Sequence, residues 1–318
     1  MNDAFTCCTL CPRTCGANRH ETQGLCGMGA ELRVSTALLH HGEEPCISGE
    51  ATCINSRTGG GGGSGTIFFS GCALRCVFCQ NHEISMPTTP QGRGQALGVD
   101  DLTALMLELQ LSGAHNINLV TPSHFTPLLR TAIAQAKGHG LAIPVVWNSS
   151  GYESVETLRS LKGLVDIYLP DLKYMDAQAA ARYAAAPDYP EAAVRAIAEM
   201  FRQVGRLRLE DGPEGNGLAK RGLLVRLLVL PGNAGRADLA LDWIAQNLGR
   251  KVGVSLMGQY YPAHRAAEFP ELRRGVSQED YEALVRQMER LGLNIGYTQA
   301  VGSSADFTPD FLGAEGAG

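Results

Sequence analysis

Cys72, Cys76 and Cys79, in the stretch GCALRCVFCQN, stand in a CxxxCxxC spacing directly after the apolar run Thr66–Phe69. Three thiolates this close can ligate three irons of a 4Fe–4S cluster and leave the fourth iron without a protein ligand. A cluster that only carries electrons takes four cysteines, so an open iron is a place for a small molecule to bind. The plainer reading of the same spacing is a zinc loop or three buried structural thiols. A second set lies upstream, where Cys8, Cys11, Cys15 and Cys26 give CxxC, then CxxxC, then a longer gap. Four thiolates with a CxxC knuckle can enclose zinc tetrahedrally, and they can equally hold an iron–sulfur cluster. Cys7 is an alternate for Cys8. Cys46 and Cys53 either complete one of the sets or are idle thiols, which pack as small hydrophobes. All ten cysteines fall in the first quarter of the chain. Local clusters of this kind read as metal sites, and a disulfide scaffold is the weaker reading.

The elements that must position these residues follow from hydrophobic patterning. Thr66–Ser70, Asn116–Val120, Ile143–Asn148, Val165–Leu169, Leu223–Leu230 and Val252–Met257 are short β-branched or leucine-rich runs without strict alternation. That pattern predicts parallel strands buried on both faces. Helices are predicted between them at Asp100–Leu111, Thr126–Lys137, Ser154–Lys162, Pro190–Val204 and Asp238–Leu248. The last, Gln278–Leu291, carries Tyr281, Leu284, Val285, Met288 and Leu291 on one stripe. Repeated βα units imply a parallel sheet with right-handed crossovers. A closed eight-stranded barrel needs two more strands than the sequence offers. The expected fold is therefore α/β, a six-stranded parallel (β/α) partial barrel.

In such barrels the active site lies at the C-terminal ends of the strands, and the conspicuous polar residues fall there. The cysteine loop follows the first strand, Thr121, Ser123 and His124 the second, and Asn148, Ser149 and Ser150 the third. Asp171 and Lys173 follow the fourth, Arg226 lies within the fifth, and Gln259 and Tyr260 follow the sixth. Each has a bland alternative. Thr121 and Ser149 could cap the next helix, Asp171 and Lys173 could be a solvated pair, and Arg226 could be an interior ion-pair partner. His40 and His41 lack a partner at ligand spacing and read as surface or core residues. Arg57–Gly65 is glycine-rich but lacks the Lys–Ser/Thr ending of a P-loop and precedes a strand. It reads as a flexible connection or lid edge.

Three regions are expected: residues 1–58 as a cysteine-rich N-terminal region with the second metal or cluster site, 59–300 as the barrel, and 301–318 as a tail. The 318 residues are 44% hydrophobic and 19% charged, as in soluble globular enzymes. No apolar run approaches a membrane span, and residues 1–30 contain no apolar core of a signal peptide. A cytoplasmic protein is expected. With Lys plus Arg at 27 against 32 Asp plus Glu, the formal net charge is −5, and no basic run suggests nucleic acid.

The stretches CPRTCGANR, EEPCISG, SGTIFFSGC, CVFCQNHEIS, NINLVTPSHF, DIYLPDLKY and LLVLPG resemble radical S-adenosylmethionine (SAM) proteins related to pyruvate formate-lyase activating enzyme. Within that group they are similar to a branch of unassigned substrate, from about Cys8 to about Tyr297. The resemblance implies a 4Fe–4S cluster on Cys72, Cys76 and Cys79, SAM as second cofactor, and a partial barrel of the radical SAM type. It implies reductive cleavage of SAM to a 5′-deoxyadenosyl radical, with an electron donor such as flavodoxin or ferredoxin and a protein as a possible substrate. Where the family carries Gly-Gly-Glu, this chain has VTPSH, so Thr121 and Ser123 stand in for contacts to the SAM amino group. NSSG matches a family Asp-Thr-Asn-Gly element, which implies Asn148 and Ser149 near the SAM carboxylate, with the acidic residue lost. DLK matches unchanged and makes Asp171 and Lys173 the SAM-side polar pair, with Gln259 as a further cofactor-binding residue. The leading function is a radical SAM enzyme that generates a radical on another protein or a small molecule, by analogy with activation of a glycyl-radical-type protein. The alternatives are a radical SAM maturase or modifying enzyme for a peptide, RNA or small molecule, and a non-enzymatic iron–sulfur electron carrier.

Overall fold

Parallel strands need both faces covered, and the chain achieves this by alternating each strand with a helix. The computed structural model describes residues 3–49, 62–86, 94–210, 217–299 and 301–302. The central strands are β2 (Ser64–Phe69), β4 (Ile117–Val120), β5 (Val145–Ser149), β6 (Ile167–Pro170), β8 (Ala219–Leu228) and β9 (Gly253–Met257). They pair in parallel in the order β2-β4-β5-β6-β8-β9. These are the six strands expected from the sequence. Every residue of β2, β5, β6 and β9 is buried, which is why these runs show no polar alternation.

Short elements extend the sheet at both ends. β10 (Gly296–Thr298) adds parallel to β9, while β1 (Arg33–His40) adds antiparallel to β2, and β3 (Gln95–Ala96) to β1. β7 (Arg208–Leu209) pairs with β8 off the main path. The order runs from β10 to β3 and the ends do not meet, so the sheet is open. β1 lies within the stretch assigned to the N-terminal region, yet it belongs to the barrel sheet. The expected loop Arg57–Gly65 is described only from Gly62 onward. Cys53 lies outside the described residues, as does the expected tail beyond residue 302.

The covering helices are α3 (Val99–Leu111), α4 (Thr126–Gly138), α5 (Val155–Arg159), α7 (Tyr189–Val204), α8 (Ala237–Asn247) and α9 (Gln278–Arg290). α9 starts where Ser277 Oγ accepts the Asp280 amide at 3.1 Å, and its stripe Tyr281, Leu284 and Met288 is buried. Shorter helices α1 (Pro45–Ser48), α2 (His82–Ser85) and α6 (Ala177–Ala184) had no counterpart in the sequence reading. α6 is alanine-rich with few large apolar residues to mark a stripe; its signal is the Asp176 cap, which accepts the Ala179 amide at 2.7 Å.

Candidate functional site

Strand register sets the level of the site. Asn148 pairs with Val120 and Leu169, Ser149 pairs with Pro170, and Leu228 pairs with Met257. One step beyond the ladder, Asp171 bridges to Arg226, and the Leu172 amide donates to the Arg226 carbonyl at 2.8 Å. The polar residues at these strand ends therefore converge on one cavity of about 220 Å³. Cys72, Cys76 and Cys79 line it together with Thr121, Asn148, Ser149, Asp171, Lys173, Arg226 and Gln259.

Arg226 is the hub. Its Nε donates to Asp171 Oδ1 at 2.8 Å, Nη1 to Glu43 Oε2 at 3.1 Å and Nη2 to Asn148 Oδ1 at 2.6 Å. Asn148 Nδ2 returns a bond to Glu43 Oε1 at 3.2 Å, and Asn118 Nδ2 gives that oxygen another at 3.0 Å. Lys173 Nζ donates to Asp171 Oδ2 at 2.6 Å. Planar guanidinium suits this branching recognition, whereas the compact lysine ammonium acts as a point charge. Burial opposes the charge on Asp171, but Arg226 and Lys173 outweigh it and hold the carboxyl below its usual range. Burial likewise opposes the Lys173 charge, and Asp171 with the Cys76 sulfur outweighs it and holds the ammonium above its usual value. Glu44 beside this network is fully buried; burial pushes its carboxyl up, and its Oε2 has no hydrogen-bond partner.

Lys173 is held from behind. Its backbone amide donates to the Tyr189 hydroxyl at 2.8 Å, and that hydroxyl bonds the Ser150 carbonyl at 2.8 Å. Gly151 sits in the same turn at φ +72°, where a Cβ would fall 2.3 Å from the Asp171 carbonyl oxygen. Glycine is therefore required in NSSG.

The thiol side is equally specific. The backbone amides of Leu74 and Asn81 point at the sulfurs of Cys72 and Cys79, two residues on in each case. Cys79 Sγ lies 3.1 Å from Ser85 Oγ, and the Tyr174 hydroxyl lies 3.9 Å from Cys76 Sγ. Phe78 stacks edge-on against Tyr174 and Tyr260. Burial pushes the Cys76 thiol up to about 11, with Lys173 pulling the other way.

These residues fit a 4Fe–4S cluster with SAM beside it. Three thiols share a cavity with paired charges of both signs, and the buried Gln259 Oε1 on its wall has no protein partner. Among the described residues no group of three or more His, Cys, Asp or Glu converges on one metal ion. A cubane asks for something else, since each thiolate takes its own iron.

One residue departs from its expected place, and one bland alternative falls away. Ser123 does not line the cavity: after Thr121, at φ +57°, the chain enters the 3-10 turn Ser123–Phe125. That turn sends the Ser123 hydroxyl away, to Glu153 Oε1 at 2.6 Å. Ser149 caps no helix; its Oγ accepts the Gly151 amide at 3.3 Å. The sequence reading gave no role to Glu43, although EEPCISG was among the stretches carrying the resemblance, and it set aside His40, which lines the cavity.

The head cysteines form a second assembly. The Cys8 amide bonds the Ala17 carbonyl at 3.1 Å and the Gly16 amide bonds the Cys8 carbonyl at 3.0 Å. That hairpin folds Cys8 back beside Cys15. Cys46 is elsewhere, buried in a separate apolar cluster with Ile47 and Leu224, and Cys7 is exposed.

The site thus combines an open parallel sheet with a three-cysteine loop at the end of its first parallel strand. Residues 66–207 match the model of the Radical SAM superfamily. It is 29% identical over 310 residues to uncharacterized protein MJ0674 of Methanocaldococcus jannaschii, covering 92% of this chain and 77% of that one. Among solved structures it is similar to HydG, a maturase of the FeFe-hydrogenase, with TM-score 0.47 and 14% identity over 73% of this chain and half of HydG. Methylornithine synthase (PylB) gives a TM-score of 0.46 and 14% identity, over 77% and 74% of the two chains. A domain of pyruvate-formate lyase-activating enzyme from Bacteroides vulgatus gives 0.38 and 16%, over 55% and 91%. No described helix is long and apolar enough to cross a membrane.

Proposed function

We propose that this protein is an activating enzyme that uses SAM to place a radical on a second protein, of the glycyl-radical type. When bound at Cys72, Cys76 and Cys79, the cluster and SAM together supply one-electron cleavage of the SAM carbon–sulfur bond and a 5′-deoxyadenosyl radical. The remaining work belongs to the chain. The observation that carries the reading is the cavity shared by three thiols and a floor of two cations and two carboxylates, Arg226 and Lys173 with Glu43 and Asp171. A floor of both signs suits a zwitterion such as the methionine end of SAM. Lys173 offers its ammonium to the carboxylate end. Glu43 supplies the acidic group that Asn148 lacks, and the Thr121 and Ser149 hydroxyls complete the polar wall. Phe78, Tyr174 and Tyr260 exclude water from the thiol side. The open sheet leaves an edge where a partner's loop can approach. A pure electron carrier has no use for the charged floor.

We place the protein in the cytoplasm, with flavodoxin or ferredoxin as electron donor. The test is anaerobic reconstitution followed by addition of SAM and reductant, with 5′-deoxyadenosine as readout, then the same assay with protein captured from an anaerobic lysate. Release of 5′-deoxyadenosine that is lost in Cys76→Ala, and a SAM-dependent radical on the captured protein, are expected. Turnover from a pool of small metabolites without any added protein would overturn the protein-substrate reading. No 5′-deoxyadenosine under any reductant or partner would overturn the enzyme itself.

A further inference from the structure

We propose that Cys8, Cys11, Cys15 and Cys26 hold a second 4Fe–4S cluster, seated directly behind the loop that carries Cys72.

The four thiols are all free, and the head fold gathers them. Cys8, Cys11 and Cys26 are buried, and Cys15 is half-buried. Gly24 lies between two of them: a Cβ there would stand 3.4 Å from Cys26 Sγ and 3.5 Å from Cys15 Sγ. Backbone amides of Arg13, Ala17 and Met28 point at the sulfurs of Cys11, Cys15 and Cys26, again two residues on. This is the arrangement seen at Cys72 and Cys79, and N–H groups aimed at sulfur stabilise thiolate ligands. A buried cation completes the surroundings. Arg19 is only 2% exposed, and its Nη1 lies 3.9 Å from Cys8 Sγ.

An iron–sulfur cluster fits this assembly better than zinc. Tetrahedral zinc draws four sulfurs to about 2.3 Å from one point, and no such convergence is present among the described residues. The radical SAM thiols, meant for a cubane, do not converge on one point either. Four cysteines also close every iron of a cubane, so the head cluster has no open iron for SAM.

The head is tied to the catalytic loop through its own ligand segment. The Cys72 amide donates to the Cys26 carbonyl at 3.2 Å, Arg75 Nη2 to the Leu25 carbonyl at 2.9 Å and Arg13 Nε to the Ala73 carbonyl at 3.0 Å. Gly71, at φ +84°, permits this contact, since a Cβ there would fall 2.3 Å from Met28 Cγ. Filling the head site therefore fixes the segment against which Cys72 is set.

The inference rests on the radical SAM reading only for the identity of the other cluster, and two complementary variants separate them. Cys11→Ala with Cys15→Ala, reconstituted anaerobically, is expected to hold about half the iron and sulfide of the wild type, with a reduced-cluster electron paramagnetic resonance signal that still shifts on adding SAM. Cys72→Ala with Cys76→Ala and Cys79→Ala is expected to hold the other half, with a signal indifferent to SAM. The second variant leaves the head intact, so a folding failure of the first does not decide the matter. A triple variant that binds no iron–sulfur cluster, or binds zinc in its place, overturns the proposal. Wild-type protein whose signal never responds to SAM, while the triple variant keeps its iron, overturns the SAM reading and leaves the head cluster standing.

Discussion

The two groups of cysteines lie one backbone hydrogen bond apart, between Cys26 and Cys72, and differ in what faces their sulfurs. Around the head thiols stand backbone amides, a glycine and the buried Arg19 guanidinium. Around Cys72, Cys76 and Cys79 the same kind of backbone support is present on one side only. The other side opens on a cavity with Lys173, Asp171, Arg226 and Glu43 at its floor. Four thiols in a closed setting leave a metal group no free position. Three thiols beside a charged cavity leave one, together with the means to orient what binds there. Identical side chains are thus given different chemistry by number and by surroundings.

The comparison is broken most forcefully at Arg226. Arg226→Ala leaves Glu43 buried without its cation, while Asp171 keeps Lys173, and such an uncompensated charge costs about 3–5 kcal/mol. Denaturant unfolding under anaerobic conditions should show that loss, while the head iron stays. Unchanged stability would mean that the floor is solvated and not a built network.

Lys173 sharpens the contrast at the level of binding. Lys173→Ala should weaken SAM by roughly ten- to a hundredfold, the weight of a charged hydrogen bond of about 1.5–3 kcal/mol. Cluster content should be unaffected at both sites. Titration of SAM against the cluster spectrum reads the effect, and equal affinity would return Lys173 to a purely structural pairing with Asp171.

His124 tests the joint between the regions. Its carbonyl accepts from Arg19 Nη1 at 2.5 Å and its ring bonds the Ser70 carbonyl at 2.7 Å, with Arg19 the charged group facing it. Burial, then Arg19, depresses the imidazole to about 3. The unfolded chain therefore takes up a proton before the folded one does. Stability from this group is full above about pH 6.5 and falls as the pH drops toward 3, by roughly 2 kcal/mol between pH 7 and pH 5. His124→Gln, which keeps a donor for Ser70, should flatten that slope. A slope equal to the wild type would assign the acid sensitivity to other groups.

Much of the frame was legible because it is local. The six β-rich runs, the cysteine spacings and the DLK turn each announce themselves within a dozen residues. β1 did not, since RVSTALLH is a run of mixed burial that becomes a strand through pairing with β2 and, at its start, β3. Arg226 was counted among the strand-end polar residues, with an interior ion pair as the bland alternative, and its role as hub was not foreseen. Its partners Asn148 and Glu43 lie 78 and 183 residues away in sequence; the parallel register brings Asn148 level, and Glu43 arrives from the loop after antiparallel β1. Ser123 misled for the opposite reason: its position after a strand was right, but the 3-10 turn set its direction.

The buried arginine of the head has a consequence for how the chain is made. Arg19 is satisfied by the carbonyls of Met28 and Gly29, close in sequence, and by that of His124, 105 residues later. A nascent chain emerging N-terminus first exposes the head long before the second βα unit exists to receive it. Until that unit arrives, the guanidinium must stay hydrated and the apolar faces of Phe5 and Phe125, which flank it at 4.7 and 5.5 Å, remain apart. Contacts of such separation are slow to form. During that interval the thiols stand in a loosely held segment, open to whatever scaffold or oxidant meets them first. The vulnerable stage in this protein's life is therefore its synthesis, before the head has found its seat.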